Sequence, residues 1–143
     1  IPIGFIDQGT FDLLCTGAIA CFVRLSPTAR PPAIPDPLPV ILFNPAYLSE
    51  TVVTLATVLV HEGTHFQQYL DGRLFDSSRG TVDNEFDAFM NAAAFWEDGR
   101  ATQAPFTMPL EIEAEGVYQL ALQGEAALRD HIVALYCDGA ADC

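Results

Sequence analysis

Three residues near the middle of the chain have the types and spacing of a metal-dependent hydrolytic site. His61 and His65 lie four positions apart and Glu62 follows the first histidine, in the pattern H-E-x-x-H. On an α-helix, positions i and i+4 share one face, about 6 Å apart along the axis, so two imidazoles at this spacing can bind one zinc ion. Glu62 is rotated by about 100° from His61. This position suits a general base for a zinc-bound water.

The residues around the motif predict a long helix. Thr51–Leu70 reads TVVTLATVLVHEGTHFQQYL, and apolar side chains precede the motif almost without interruption. Ser49 is predicted to cap this helix with Glu50 in its first turn, and Asp71–Gly72 is predicted to end it. Such an apolar helix is expected to be buried, so its two histidines and its glutamate need polar partners. A pair of core histidines without a metal is the alternative interpretation.

A catalytic zinc site usually has three protein ligands and one open position. The next predicted helix begins with Thr81 as its cap and runs from about Val82 to Glu97. Glu85 lies in its first turns, 20 residues beyond His65. This helix is therefore the expected source of the third ligand.

The combined pattern resembles the gluzincin zinc metallopeptidases, the thermolysin-like group in the broad sense. The matching residues form H-E-x-x-H and, on the second helix, N-E-x-x-A: His61, Glu62, His65, Asn84, Glu85 and Ala88. The resemblance covers about Val40 to Glu97. It implies that both histidines and Glu85 bind zinc, that Glu62 is the catalytic base, and that the chain is a peptidase acting on a peptide or protein substrate.

The resemblance also implies a fold, from which the chain departs by Phe89 and by the absence of the family's large C-terminal helical subdomain, reduced here to one long helix. The fold would be α+β and zincin-like, with a small twisted N-terminal β-sheet packed on the active-site helix, followed by two further helices. Val40–Phe43 would be the strand that pairs with the backbone of the substrate. The family usually has an aspartate four residues after the ligand glutamate, and this chain has Phe89 there. An alternative function is a zinc-binding, peptidase-like interaction or regulatory domain with weak or no hydrolysis.

Asp83 is the alternative third ligand. Gly80–Phe86 is similar to the aspzincin pattern G-T-x-D-x-x-Y, with phenylalanine in place of the tyrosine, and the aspartate is the ligand in that family. Aspzincins place this aspartate closer to the second histidine than the 18 residues found here. Glu85 is therefore preferred. Helix-dipole stabilisation of acidic residues in a first turn would explain both carboxylates without a metal.

An additional hydrogen-bond donor would assist peptide hydrolysis by stabilising the oxyanion. His131 is the residue that we predict for this catalytic role. The other candidates are tyrosines, whose hydroxyl groups can donate in the same way: Tyr69, Tyr118 and Tyr136.

A third helix is predicted to carry His131. It begins with Thr107 as cap and Pro109 in its first turn, and it ends near Tyr136, with a bend at one of two glycines. Those glycines are Gly116 and Gly124. Three glutamates alternate along its start and are interpreted as a solvated acidic face: Glu111, Glu113 and Glu115.

The N-terminal part of the chain predicts strands and one long loop. Phe11–Leu14 is interpreted as a strand or a short helix, and Ala20–Leu25 and Val40–Phe43 as strands. Ser26–Pro39 contains six prolines and is predicted to be an extended loop, because proline lacks the backbone donor that ladders and helices need.

Length and charge limit the possible classes of function. The chain has 143 residues, which predicts a single domain over 1–143 with a substantial core. Its net charge is −13, and its six basic residues are all arginine. This surface is expected to repel nucleic acid and anionic membranes. No uninterrupted apolar run reaches 18 residues, so no membrane span is predicted.

The four cysteines predict disulfide bonds. The simplest pairing gives two short loops, Cys15–Cys21 and Cys137–Cys143, and cross-pairing of the two ends is the alternative. An even number of cysteines, placed near the two ends, favours an oxidising compartment and therefore a secreted or extracytoplasmic protein. None lies in a C-x-x-C pair, so a second, cysteine-based zinc site is not expected.

Overall fold

The computed structural model describes residues 2–24, 39–74 and 81–137. The chain divides into two compact units, Ile1–Ser49 and Glu50–Cys143. The first holds a small sheet and the second a group of helices, so the predicted α+β class is confirmed. The single-domain assignment stays a prediction. The predicted proline-rich loop Ser26–Pro39, except Pro39, lies outside the described residues, as do residue 25 and the segment 75–80.

A three-stranded mixed sheet organises the first unit. Its elements in chain order are β1 (Ile3–Phe5), α1 (Gln8–Leu14), β2 (Ala20–Arg24) and β3 (Pro39–Phe43). The strand order is β1-β3-β2, with β1 parallel and β2 antiparallel to β3. Because β3 has a neighbour on each side and its last three residues are buried, it needs no alternation of apolar and polar residues. Its predicted role in substrate pairing stays a prediction.

The connection from α1 to β2 is closed by a disulfide bond. The Asp7 carboxylate accepts the Thr10 N–H at 3.0 Å and caps α1, so the segment predicted as a strand or short helix is a helix. Cys15 and Cys21, with Cα atoms 6.0 Å apart, are disulfide-bonded, as in the simplest predicted pairing. The predicted partner of Cys137, Cys143, lies outside the described residues.

The second unit has four long helices within its described residues. They are α2 (Val52–Leu70), α3 (Thr81–Gly99), α4 (Pro109–Gln123) and α5 (Glu125–Tyr136). The predicted positions of α2 and α3 are confirmed to within two residues at each end. In the described parts of the chain, no helix is both long enough and apolar enough to span a bilayer.

The predicted cap of α2 was wrong by two positions. Thr51, not Ser49, precedes the first helical residue, and its hydroxyl oxygen accepts the Thr54 N–H at 3.3 Å. Both residue types can cap a helix, so the sequence alone did not distinguish them.

Helices α2 and α3 form an antiparallel hairpin, so residues near the end of α2 lie beside residues near the start of α3. Gln68, near the end of α2, donates to the backbone carbonyl of Asn84, near the start of α3. At the other end, a Cβ atom on Gly99 would lie 2.6 Å from Cγ1 of Val53, so this close approach requires glycine. The hairpin therefore brings the middle of α2 beside the first turns of α3.

The third predicted helix is two helices, α4 and α5. Gly124 separates them with φ +113° and ψ 172°, a conformation essentially restricted to glycine. Gly116, the other predicted bend, lies inside α4. The end of α3 contacts α4 through Trp96 and Glu115, and its start contacts α5 through Asp83 and Arg129. Five buried side chains from these three helices form their core: Phe89, Ala93, Val117, Leu128 and Ile132.

Two of the three glutamates at the start of α4 are not on a solvated face. Glu111 is only 3% exposed, and its carboxylate accepts the backbone N–H groups of Thr107 and Met108. It therefore caps α4 in place of the Thr107 side chain. Glu115 accepts the indole N–H of Trp96 at 2.9 Å. The solvated-face interpretation was wrong for these two because their partners come from the helix terminus and from another helix.

Candidate metal centre

Helices α2 and α3 bring His61, His65 and Glu85 together. Nε2 of His61 lies 3.2 Å from Nε2 of His65. Each of these nitrogens also lies 3.3 Å from a different carboxylate oxygen of Glu85. The ligand atoms of all three residues fall within 4.8 Å of one another, so the group can hold a metal ion.

These distances fit a tetrahedral metal site. With ligands at roughly 2.0–2.1 Å from a tetrahedral zinc, neighbouring ligand atoms lie about 3.3–3.4 Å apart. Glu85 Oε2 is buried and makes no hydrogen bond within the described residues, although Nε2 of His61 lies 3.3 Å away. Two imidazoles and a carboxylate suit zinc and other first-row divalent cations. A cation between the three groups would satisfy this oxygen.

The charges at the site favour an ionised carboxylate. Burial of Glu85 opposes ionisation, but the neighbouring imidazoles of His61 and His65 outweigh it and lower the Glu85 pKa to about 2. Burial alone would lower the pKa of His65, because it disfavours the charged imidazolium. Its contacts with Glu85 and Gln68, with the nearby charge of Glu62, raise the pKa of His65 instead. The carboxylate is therefore ionised at neutral pH, the state that a metal ligand requires.

Glu62 lies within the same buried environment. Its side chain is 7% exposed, on the turn of α2 that also carries both histidines. Its negative charge contributes to the raised pKa values of His65 and Tyr136, so it lies close to both. A buried, ionisable carboxylate beside a candidate metal site has the chemistry of a general base.

Gln68 is a site residue that the sequence reasoning missed. It is fully buried one turn beyond His65, and its Oε1 atom lies 2.9 Å from Nδ1 of that ring. Its amide nitrogen donates to the carbonyl oxygen of Asn84 at 2.9 Å. The available signal was the i, i+3 spacing from His65, which places two side chains side by side on a helix.

The alternative ligand Asp83 has a different partner. Its carboxylate accepts a hydrogen bond from Arg129 on α5 at 2.8 Å, and it is not among the three converging residues. Asp87, two residues beyond Glu85, lies 3.6 Å from the guanidinium of Arg73. The geometry therefore favours Glu85 over Asp83.

Phe89 occupies the position of the missing aspartate and contacts the aromatic residues around the site. Its ring centre lies 4.6 Å from that of His61, 6.3 Å from that of His131 and 6.4 Å from that of Tyr136. His131 is thus placed beside Phe89, with the negative charge of Glu113 nearby. Its predicted catalytic role stays a prediction.

Tyr136, at the end of α5, reaches the candidate metal ligands directly. The residue is 47% exposed, but its hydroxyl interacts with the Glu85 carboxylate. Burial of the hydroxyl raises its pKa, and the negative charges of Glu85, Glu62 and Glu113 raise it further. The phenol therefore stays protonated and can donate a hydrogen bond. It was one of three tyrosines that were candidate donors from the sequence, which gave no reason to prefer any of them.

Glu113 adds a third acidic group to this region. Burial raises the pKa of its carboxyl group, and the nearby His131 and His61 oppose that shift. Its position near His61 means that α4 also contributes to the surroundings of the site. Glu113 is nevertheless among the exposed residues, so its interpretation as part of a solvated face is confirmed.

Comparisons of the chain with protein-family models, with curated proteins and with solved structures gave no match. The resemblance to gluzincins therefore rests on the motif residues themselves. Of these, His61, His65 and Glu85 converge at one point, while Asn84 connects to the group through its backbone carbonyl.

Proposed function

We propose that this protein is a zinc-dependent peptidase in which His61, His65 and Glu85 hold the metal. The observation that carries the proposal is the separation of 3.2–3.3 Å between their nearest ligand atoms, at the spacing of a tetrahedral site. The buried Glu62 on the same helix supplies the second requirement, a base beside the metal. The antiparallel α2–α3 hairpin supports a zincin-like fold, with two ligands on one helix and the third on the next.

Zinc bound at this site would supply a Lewis acid that polarises the scissile carbonyl and lowers the pKa of a bound water. Glu62 accepts one proton from the attacking water as its oxygen bonds to the carbonyl carbon. When the C–N bond breaks, Glu62 delivers that proton to the leaving amine. Burial of Glu62 keeps bulk water from competing for the transferred proton.

Tyr136 is the donor that we assign to the developing negative charge on the carbonyl oxygen. Its hydroxyl lies beside the Glu85 carboxylate, and its raised pKa keeps the proton in place across the physiological range. A fixed donor aimed at an oxyanion contributes more to catalysis than one that must reorient. His131, whose ring centre lies 6.3 Å from that of Phe89, is the second candidate for the same role.

The substrate class that we propose is a neutral or basic peptide or an unfolded protein segment. The net charge of −13 repels acidic substrates, and Glu113 adds negative charge close to His61. The Cys15–Cys21 disulfide supports a secreted or extracytoplasmic location, because such bonds persist in oxidising compartments.

The first test of the proposal is metal content, measured by elemental analysis after supplementation with zinc. We expect about one zinc per chain, since the three ligands form a single site. Glu85→Gln removes the negative ligand while conserving its shape, so zinc should be lost or bound much more weakly. Glu97→Gln is the matched control on the same helix, because Glu97 is exposed and contacts Tyr118. No zinc in the parent chain would overturn the proposal.

The second test separates metal binding from hydrolysis. Glu62→Gln should retain zinc and lose about 10²–10⁴-fold in kcat/KM on a peptide library, because a general base typically contributes that factor. A parent chain that holds zinc and cleaves nothing would select the alternative, a peptidase-like interaction or regulatory domain. Unchanged hydrolysis by the glutamine variant would remove Glu62 from the mechanism.

A further inference from the structure

Gln68 links the candidate metal ligand His65 to the backbone of α3. Its side chain is fully buried and both ends of its amide are engaged, with His65 Nδ1 and with the carbonyl oxygen of Asn84. We propose that Gln68 is a positioning residue that holds His65 in the tautomer with a bare Nε2 atom, ready to bind the metal. The inference rests on the metal site of the proposed function.

The orientation of the amide follows from its partners. The Asn84 carbonyl oxygen can only accept a hydrogen bond, so the NH₂ group of Gln68 must face it. The Oε1 atom then faces His65, and since this oxygen can only accept, Nδ1 of His65 must donate. In a neutral imidazole the second nitrogen then has no proton. Nε2 of His65 therefore points an electron pair toward His61 and Glu85.

The Gln68 backbone is anchored as well as its side chain. Its carbonyl oxygen accepts the N–H groups of Arg73 and Leu74, at 2.8 and 3.1 Å, where the chain turns after α2. Gly72 makes this turn with a φ of +72°. With both parts of the residue held, the Oε1 atom has little freedom to leave His65.

The family that the motif resembles usually has an aspartate four residues after the ligand glutamate, at the position that Phe89 of α3 occupies in this chain. The support for a histidine comes instead from α2 itself, three positions after His65, and it is a neutral amide. A carboxylate partner would add negative charge and raise the basicity of the ring. The amide of Gln68 orients the ring without adding charge. Glu85 would then be the one carboxylate among the three proposed ligands of a divalent cation.

The test compares Gln68→Leu with Gln67→Leu. Leucine is similar in size to glutamine and cannot bond to His65. Gln67 is exposed, and its side-chain amide donates to the Asp71 carboxylate at 2.9 Å. Zn²⁺ affinity is measured by competition with a chromophoric chelator on the full chain. Gln68→Leu should weaken binding by about 10–100-fold, as loss of a partner to a ligand histidine typically does. Gln67→Leu should bind like the parent, and equal affinity in all three proteins would overturn the proposal.

A second measurement needs no variant and guards against a Gln68→Leu chain that fails to fold. Nitrogen-detected NMR of the histidine rings in the metal-free parent, at a pH where His65 is neutral, reports which nitrogen is protonated. We expect the proton on Nδ1 of His65. A proton on Nε2 would overturn the inference, even if the chain binds zinc and hydrolyses peptides. A parent that binds no zinc but carries the Nδ1 proton would instead contradict the proposed function while retaining the hydrogen bond.

Discussion

The ring of Phe89 meets the ring of His61 edge to face, with centroids 4.6 Å apart. The two histidines of the site are therefore held by different means. His65 is oriented by the hydrogen bond from its Nδ1 atom to Gln68, and His61 by packing against an aromatic ring on α3. An aromatic contact restricts the tilt of an imidazole ring but does not select its tautomer. His61 is thus constrained by shape and His65 by hydrogen bonding.

Replacing Phe89 with leucine is expected to weaken zinc binding. Leucine retains an apolar contact with the protein core but leaves the His61 ring free to rotate. We expect about a tenfold loss of Zn²⁺ affinity, accompanied by about 1–2 kcal/mol of lost stability. Chelator competition and urea unfolding measure the two effects. Phe95→Leu is the matched control, since Phe95 lies on α3 with 38% of its surface exposed. Affinity equal to that of the control would show that Phe89 does not orient the ligand.

The helices of the site were predictable because their signals are local. The apolar run before the motif and Asp71–Gly72 after it predicted a helix ending at Leu70, and α2 spans Val52–Leu70, although its cap is Thr51 rather than the predicted Ser49. By contrast, β1 has only three residues and exists through its parallel pairing with β3, a partner almost 40 residues away. Nor could the sequence choose between Gly116 and Gly124, because the break depends on a positive φ at one of them.

The same distinction between local and long-range signals applies to the residues of the candidate site. The spacing of His61 and His65 on one helix is a local property, so the sequence predicted that they meet. Glu85 could be chosen over Asp83 only through a family resemblance, whereas the structure gives Asp83 an ion pair with Arg129. Tyr136 lies 51 positions beyond Glu85. No local pattern shows that a residue so distant in the chain lies beside Glu85.

Tyr136→Phe is expected to reduce turnover without releasing the metal. Removing one oxyanion donor typically costs about 10²–10³ in kcat, and the phenyl ring keeps the contact with Phe89. Zinc content and KM should change little. Steady-state kinetics on a cleaved peptide measures kcat and KM. Elemental analysis of the same preparation measures the zinc content.

The control for this prediction is Tyr118→Phe, which removes a hydroxyl that donates to Glu97, a residue of α3 outside the group of His61, His65 and Glu85. His131→Gln tests the other donor directly. Loss of kcat in the His131 variant together with full activity in Tyr136→Phe would transfer the role to His131.

Two glycine-to-alanine substitutions in and beside α4 should change stability in opposite directions. Gly124 has φ +113° and ψ 172°, so alanine there should cost about 1–3 kcal/mol. At Gly116, an added Cβ would meet nothing within 4 Å, and alanine in a helix interior should stabilise by about 0.5–1 kcal/mol. Urea unfolding of both variants gives the comparison. A stabilising Gly124→Ala would mean that α4 and α5 are one continuous helix.

Glu115 should contribute stability that disappears in acid. Its carboxylate binds the Arg100 guanidinium and accepts the Trp96 indole N–H, and these contacts lower its pKa from 4.5 to about 2. Because the folded-state pKa lies below the unfolded value, the contribution is complete above about pH 4.5 and is lost as the pH falls toward 2. Glu115→Gln keeps an acceptor for Trp96 but loses the charge, which should cost about 1–2 kcal/mol at neutral pH.

The difference in unfolding free energy between the parent and Glu115→Gln measures the contribution of Glu115 separately from that of every other carboxylate that titrates in acid. We expect the difference to be constant from pH 7 to about pH 5 and to shrink steadily below that. In an Arg100→Met background the same substitution should cost much less, because the partner of the charge is already absent. A difference that stays the same down to about pH 2.5, or an equal cost in both backgrounds, would show that the Arg100–Glu115 pair does not stabilise the packing of α4 on α3.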